Sequence, residues 1–143
     1  MVLFYENTKK CGGGQIKMSN DNYATDNRII ELFEDWFDPC PLNDNPENDG
    51  LLMDWKDKTY VNPPYSKPLP WIEKAIEENK KGKLIVMLLR MDTSTRWFTK
   101  LQESGAVFLW VNGRLRFNNL KPANFPSMIV ILNRKGVAED KPK

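Results

Sequence analysis

Thr59-Tyr60-Val61-Asn62-Pro63-Pro64-Tyr65-Ser66 runs a short β-prone segment into an asparagine, two prolines and an aromatic ring. Prolines donate no backbone hydrogen bond, and each fixes its own φ. A residue before a proline is held extended. The chain therefore leaves this strand as a rigid, extended loop, with a carboxamide at its start and a ring at its end. Such a loop suits gripping a flat, polar heterocycle. A plainer reading also fits the four residues alone: a rigid turn, or a proline-rich motif for a partner.

Working outward, Pro70 to about Lys81 reads as a helix. Pro70 suits its first turn, Gly82 ends it, and Trp71, Ile72, Ala75 and Ile76 form its apolar stripe. Glu73, Glu77, Glu78, Lys80 and Lys81 are its expected solvated face. Lys83 to Leu89 is a continuous apolar run, the pattern of a strand covered on both faces. Asp92-Thr93-Ser94-Thr95 caps a helix that runs to about Ser104 and stops at Gly105. Ala106–Val111 and Ser127–Leu132 read as strands, with an Asn112-Gly113 turn between them.

Upstream, Thr25 looks like the cap of a helix from about Asp26 to Asp35, with Ile29, Ile30, Phe33 and Phe37 at helical spacing. Trp36-Phe37 also fits the start of a short strand ending at Asp38-Pro39-Cys40-Pro41. Leu42 to Asp49 is loop chemistry, closed by Asp49-Gly50. The expected domain spans 21–133, between a glycine-rich arm at 1–20 and a charged tail at 134–143. Alternating strands and helices predict a three-layer α/β fold. Its sheet is expected to be mostly parallel, with an antiparallel hairpin at the C-terminal edge.

The 143 residues contain no histidine, which excludes a Ser-His-Asp triad, a Cys-His pair and a histidine metal site. Cys11 and Cys40 do not make a disulfide framework or a zinc spacing. No apolar run spans a bilayer and no signal-peptide pattern stands at the N-terminus, so the cytoplasm is the expected compartment. Charge is unevenly divided. Residues 1–80 carry 9 Lys/Arg against 15 Asp/Glu, a net of −6; residues 81–143 carry 12 against 4, a net of +8. The basic half suits a polyanion, or is simply a solvated surface.

Ligands of α/β sheets bind at the carboxyl ends of the strands. Asp38, Asn62 and Asp92 all follow expected strands, so parallel strands would gather them at one edge. The exocyclic amine of a purine has two N–H donors, and the Asn62 side-chain oxygen and Pro63 carbonyl could each accept one. Tyr65 could stack on the ring at about 1–3 kcal/mol. In-line attack on an electrophilic methyl then depends mainly on positioning and needs no histidine. The base would have to leave the helical stack.

Asn62-Pro63-Pro64-Tyr65 resembles the (Asp/Asn)-Pro-Pro-aromatic motif of amino-directed N-methyltransferases. The wider chain resembles the phage-type, Dam-like DNA N6-adenine methyltransferases. The matching segments are Asn22-Tyr23-Ala24-Thr25, Phe37-Asp38-Pro39-Cys40, Asp49-Gly50-Leu51 with Trp55, and Val61–Ser66. They continue as Trp71-Ile72-Glu73-Lys74-Ala75, Asp92–Phe98, Gly113-Arg114-Leu115-Arg116-Phe117 and Phe125-Pro126-Ser127-Met128. The resemblance implies a compact, truncated Rossmann-like class I methyltransferase fold, S-adenosylmethionine as methyl donor and adenine N6 in DNA as acceptor. It implies that Asn62, Pro63, Pro64 and Tyr65 form the catalytic loop. Thr25, Asp38, Pro39, Cys40 and Asp49 would contact the cofactor.

The chain departs from the family pattern in three places. Pro41-Leu42-Asn43 replaces the usual glycines after the acidic-Pro pair, Asp26 replaces a proline after Thr25, and the stretch from Asp38 to Asn62 is short for a full core. No separate target-recognition domain is visible. Arg90, Arg96, Arg114, Arg116 and Lys121 are the candidate DNA contacts. The small size is compatible with a homodimer. Two alternatives share these features: an N-methyltransferase for RNA or a protein amide, and an inactive methyltransferase-like protein that binds nucleic acid.

Overall fold

The computed structural model describes residues 27–41, 49–117, 121–122 and 125–133. In chain order the elements are α1 (Asn27–Ile30), β1 (Lys58–Val61), α2 (Leu69–Lys80), β2 (Leu84–Arg90), α3 (Arg96–Glu103), β3 (Val107–Trp110), β4 (Arg116–Phe117), β5 (Lys121–Pro122) and β6 (Ser127–Leu132). No described helix is long and apolar enough to cross a membrane.

The two longer helices begin and end for local reasons. α3 is capped by Thr95, whose extended backbone lets its hydroxyl accept from the Phe98 N–H at 3.2 Å. Gly82 and Gly105, at φ +99° and +85°, turn the chain out of α2 and α3 in a region that side chains disfavour. α1 is shorter than the expected Asp26–Asp35 helix; turns follow it up to Trp36. Its apolar residues are satisfied by the sheet instead: Ile29 is buried there, and the Phe33 ring stacks on Tyr60 at 4.8 Å. Phe37 then makes a parallel bridge to Thr59, its N–H donating to the Lys58 carbonyl and its carbonyl accepting from the Tyr60 N–H. Neither the long helix nor a strand forms at Trp36-Phe37: Phe37 makes one isolated bridge.

The main sheet has the order β1-β2-β6-β3. β1 pairs parallel to β2, and β6 pairs antiparallel to both β2 and β3. This corrects the expected mostly parallel sheet with an antiparallel hairpin at its edge: the sheet is mixed, and its antiparallel strand lies inside. The cause is two-sided apolarity. In β6, Met128, Val130 and Leu132 pack into one face of the sheet, while Ile129 and Ile131 pack on the other. Such a strand gains most between two neighbours. β3 takes the edge, with Val107, Leu109 and Trp110 about half exposed. The only hairpin-like pair in the described residues is the separate two-residue ladder β4–β5.

One face of the sheet packs Val61, Ile85, Met87 and Leu89 under Trp71, Ile72 and Ala75 of α2 and Phe98 and Leu101 of α3. The other face gathers Tyr60, Val86 and Leu88 with Ile29, Leu115 and Phe125. Two of the buried polar side chains tie α2 to its surroundings. Asn79 donates to the Lys83 and Asn133 carbonyls at 2.8 and 2.7 Å, tying the end of α2 to the end of β6. Glu78 is fully buried, against its expected place on the wet face of α2, because three lysines converge on it.

Candidate functional site at the carboxyl edge of the sheet

β1, β2 and β3 run in one direction, since each of β2 and β3 is antiparallel to β6. Their carboxyl ends therefore share an edge. Asn62 follows β1 there, Asp92 follows β2, and Asp38 follows Phe37, which is parallel to β1. The three polar residues that the sequence aligned are brought to the same edge.

Asn62 is 4% exposed, and Pro63 and Pro64 are buried beside it. The two prolines leave the loop with little freedom, and their carbonyls differ. The Pro64 carbonyl accepts from the Lys67 N–H at 3.2 Å in the turn that leads to α2. The Pro63 carbonyl accepts from no donor among the described residues. Tyr65 is half-buried, its ring meeting Phe125 edge to face at 5.1 Å.

The residues assigned by resemblance to the cofactor side meet in a second cluster. The Asp38 carboxylate accepts from the Cys40 N–H at 2.8 Å and so shapes its own loop. Asp49 does the same with the Leu51 N–H at 2.9 Å. The two loops touch at Gly50, where an added Cβ would lie 2.1 Å from the Pro39 carbonyl oxygen. Only glycine allows that approach, and it brings Asp49 beside Asp38-Pro39-Cys40. The Gly50 carbonyl accepts from the Trp55 indole N–H at 2.7 Å, a buried bond. The Trp55 carbonyl in turn accepts from the Lys83 ammonium, which is paired with Glu78. Cys40 is fully buried against the α2 side of the sheet and is disulfide-bonded, which corrects the expectation of no disulfide and leaves only its backbone to face a ligand. Thr25 lies outside the described residues.

Of the candidate DNA contacts, Arg90 ends β2, Arg96 opens α3 just beyond it, and Arg114 follows β3. All three are exposed at the edge that carries Asn62. Arg90 is held over the Phe125 ring at 4.9 Å. Arg116 and Lys121 stand in β4 and β5, and only their backbone positions are described. The Asp92 carboxylate is engaged by Ser94 in the turn that leads into α3. Hydrogen bonds from the Ser94 hydroxyl and backbone N–H hold its carboxyl below the usual range, against a small opposing effect of burial, with Arg90 adding a little.

Sequence reasoning assigned no role to Phe125 or to the Trp55–Gly50 bond. Gly50 carried a signal for the second, since glycine is the residue that permits a close backbone approach. Phe125 carried none beyond its place before Pro126.

A mixed α/β sheet gathers a buried amide, an aromatic ring and exposed arginines at its carboxyl edge, the edge at which α/β proteins hold their ligands. Residues 19–138 match the family described as DNA N-6-adenine-methyltransferase (Dam), and the chain belongs to that family. It is 30% identical to a DNA N-6-adenine-methyltransferase of Haemophilus phage HP1 over 142 residues, covering 83% of this chain and 82% of the relative. It is 41% identical over 56 residues to a protein of the same description from Escherichia phage T1, covering 39% of this chain and 24% of that protein. No solved structure matches it.

Proposed function

We propose that the chain transfers a methyl group from S-adenosylmethionine to the N6 amine of adenine in DNA. Family membership supports the reaction class. The observation that carries the assignment to residues is the rigid, buried Asn62-Pro63 pair at the edge where Arg90, Arg96 and Arg114 are exposed, the Pro63 carbonyl accepting from no donor among the described residues.

The residues divide the work. Asn62, through its side-chain oxygen, and Pro63, through its carbonyl, accept the two N–H bonds of the target amine and aim its lone pair. Pro64 keeps the loop stiff, so that little reorganisation is needed. Tyr65 offers a ring face to the extruded base. Arg90, Arg96, Arg114, Arg116 and Lys121 contact the phosphate backbone or base edges. When bound, S-adenosylmethionine supplies an electrophilic methyl group. Asp38, Pro39, the Cys40 backbone and Asp49 would hold such a cofactor, because Gly50 brings their two loops together and sets both carboxylates on adjoining turns; Thr25 is assigned to the same role. Residues 21–133 act as the catalytic unit, a truncated Rossmann-like core, in the cytoplasm, where the DNA substrate lies. Two chains form the working unit, which widens the DNA contact of a small domain.

The test is transfer of a labelled methyl group to duplex DNA, RNA and protein acceptors. Duplex DNA is the expected acceptor, with N6-methyladenine as product. Asn62→Ala abolishes transfer without lowering the melting temperature by more than a few degrees. Full activity of that variant would refute the role of Asn62, and methylation of RNA or protein alone would refute the acceptor.

A further inference from the structure

Phe125-Pro126-Ser127 is stapled to the ends of two strands. The Pro126 carbonyl accepts from the Met91 N–H at 2.9 Å, and the Ser127 carbonyl from the Val111 N–H at 3.3 Å. Ser127 is also the register partner of Arg90. The Phe125 backbone is thereby fixed against the carboxyl ends of β2 and β3. Its ring, 9% exposed, sits between two groups of different kinds. Tyr65 of the catalytic loop meets it edge to face at 5.1 Å and 77°, and the exposed Arg90 guanidinium lies 4.9 Å from its centroid.

We propose that Phe125 is a positioning residue for Tyr65, and that Arg90, stacked on the same ring, links that position to the bound DNA strand. The inference rests on the proposed function, because it gives Tyr65 an extruded base to hold. An edge-to-face pair fixes the tilt of both rings. A phenylalanine whose backbone is pinned to the sheet therefore sets the tilt of a tyrosine in a loop. A guanidinium over an aromatic face keeps its N–H groups for a phosphate in its own plane. A phosphate bound by Arg90 thus draws on a side chain already seated against Phe125. Packing alone would also bury Phe125, but it would not require a ring there.

The test uses the full chain. The methylated sequence is first mapped on DNA treated with the wild-type protein. Rates are read on that adenine DNA; for emission alone the target adenine is replaced by 2-aminopurine, which lacks the 6-amine and fluoresces when it leaves the stack. Phe125→Leu keeps apolar volume and loses the ring; Phe125→Tyr keeps the ring. In Phe125→Leu the single-turnover rate falls about three- to tenfold, the range set by one aromatic pair, while affinity for S-adenosylmethionine is unchanged. Emission from its DNA complex rises about twofold above the wild-type complex, because the base is stacked less firmly. Phe125→Tyr restores both. Arg90→Gln combined with Phe125→Leu lowers the rate by less than the product of the single effects. A wild-type rate and emission in Phe125→Leu, or an equal loss in Phe125→Tyr, overturns the proposal and leaves the proposed function standing. A wild-type protein that methylates no DNA overturns both.

Discussion

Glu78 supplies a quantitative test of how the scaffold behind the site is held. Its carboxylate is fully buried in α2 and accepts from Lys74 at 2.7 Å, from Lys81 at 3.3 Å and from Lys83. Burial opposes its ionisation, but the three ammonium groups outweigh burial and lower its pKa from 4.5 to about 2. The sign follows from linkage. A carboxyl whose pKa is depressed on folding stabilises the fold above its unfolded value and loses that contribution as pH falls toward the folded one. The contribution is roughly 3 kcal/mol at pH 7, falling to about 2 at pH 3.5 and about 1 at pH 2.5. That is a large share of the 5–15 kcal/mol typical of a domain. Urea unfolding followed by tryptophan fluorescence, in wild type and Glu78→Gln, isolates it. The variant should be less stable at pH 7, and the gap should narrow by roughly 2 kcal/mol between pH 6 and pH 2.5. A gap that stays constant over this range would refute the reasoning, because it would mean that Glu78 titrates alike in both states.

The other predictions probe the edge itself. Gly50→Ala forces a Cβ to within 2.1 Å of the Pro39 carbonyl oxygen; it should weaken S-adenosylmethionine binding in calorimetry at least tenfold, about 1.4 kcal/mol or more, and lower the melting temperature. Trp55→Phe keeps most of the buried ring but leaves the Gly50 carbonyl without its 2.7 Å donor. It should cost about 1–3 kcal/mol in urea unfolding and weaken cofactor binding more than DNA binding. Arg96→Gln and Arg114→Gln should each weaken DNA binding similarly on all sequences and reduce the salt slope by about 1; a loss confined to one sequence would make that arginine a base reader instead.

The elements that local chemistry governs were legible in the chain. Pro70 and Gly82 bracket α2, and Thr95 and Gly105 bracket α3, because caps and glycine exits act within a turn or two of their own positions. The apolar run of β2 and the rigid Asn62-Pro63-Pro64-Tyr65 loop were legible for the same reason. The Asp26–Asp35 helix was not realised in full, since the spacing of Ile29, Phe33 and Phe37 is met as well by a turn and a bridge packed on the sheet. Glu78 looked like one more solvated acid, because nothing along α2 shows that Lys83, beyond the helix, folds back onto it.

The sequence by itself determined which residues are held rigid at the target side: prolines restrict their own backbone wherever they stand. It also determined the family, through an ordered set of motifs from Asn22 to Met128. Tertiary structure decided where those residues meet. It placed β6 between β2 and β3, which put Phe125 beside Tyr65 and under Arg90. It also closed Asp49 onto Asp38-Pro39-Cys40 through Gly50. Both join segments that are not neighbours along the chain, the Phe125 contacts across the greater distance. Their free energy comes from burying apolar faces and pairing polar groups across the sheet, so no local pattern records them.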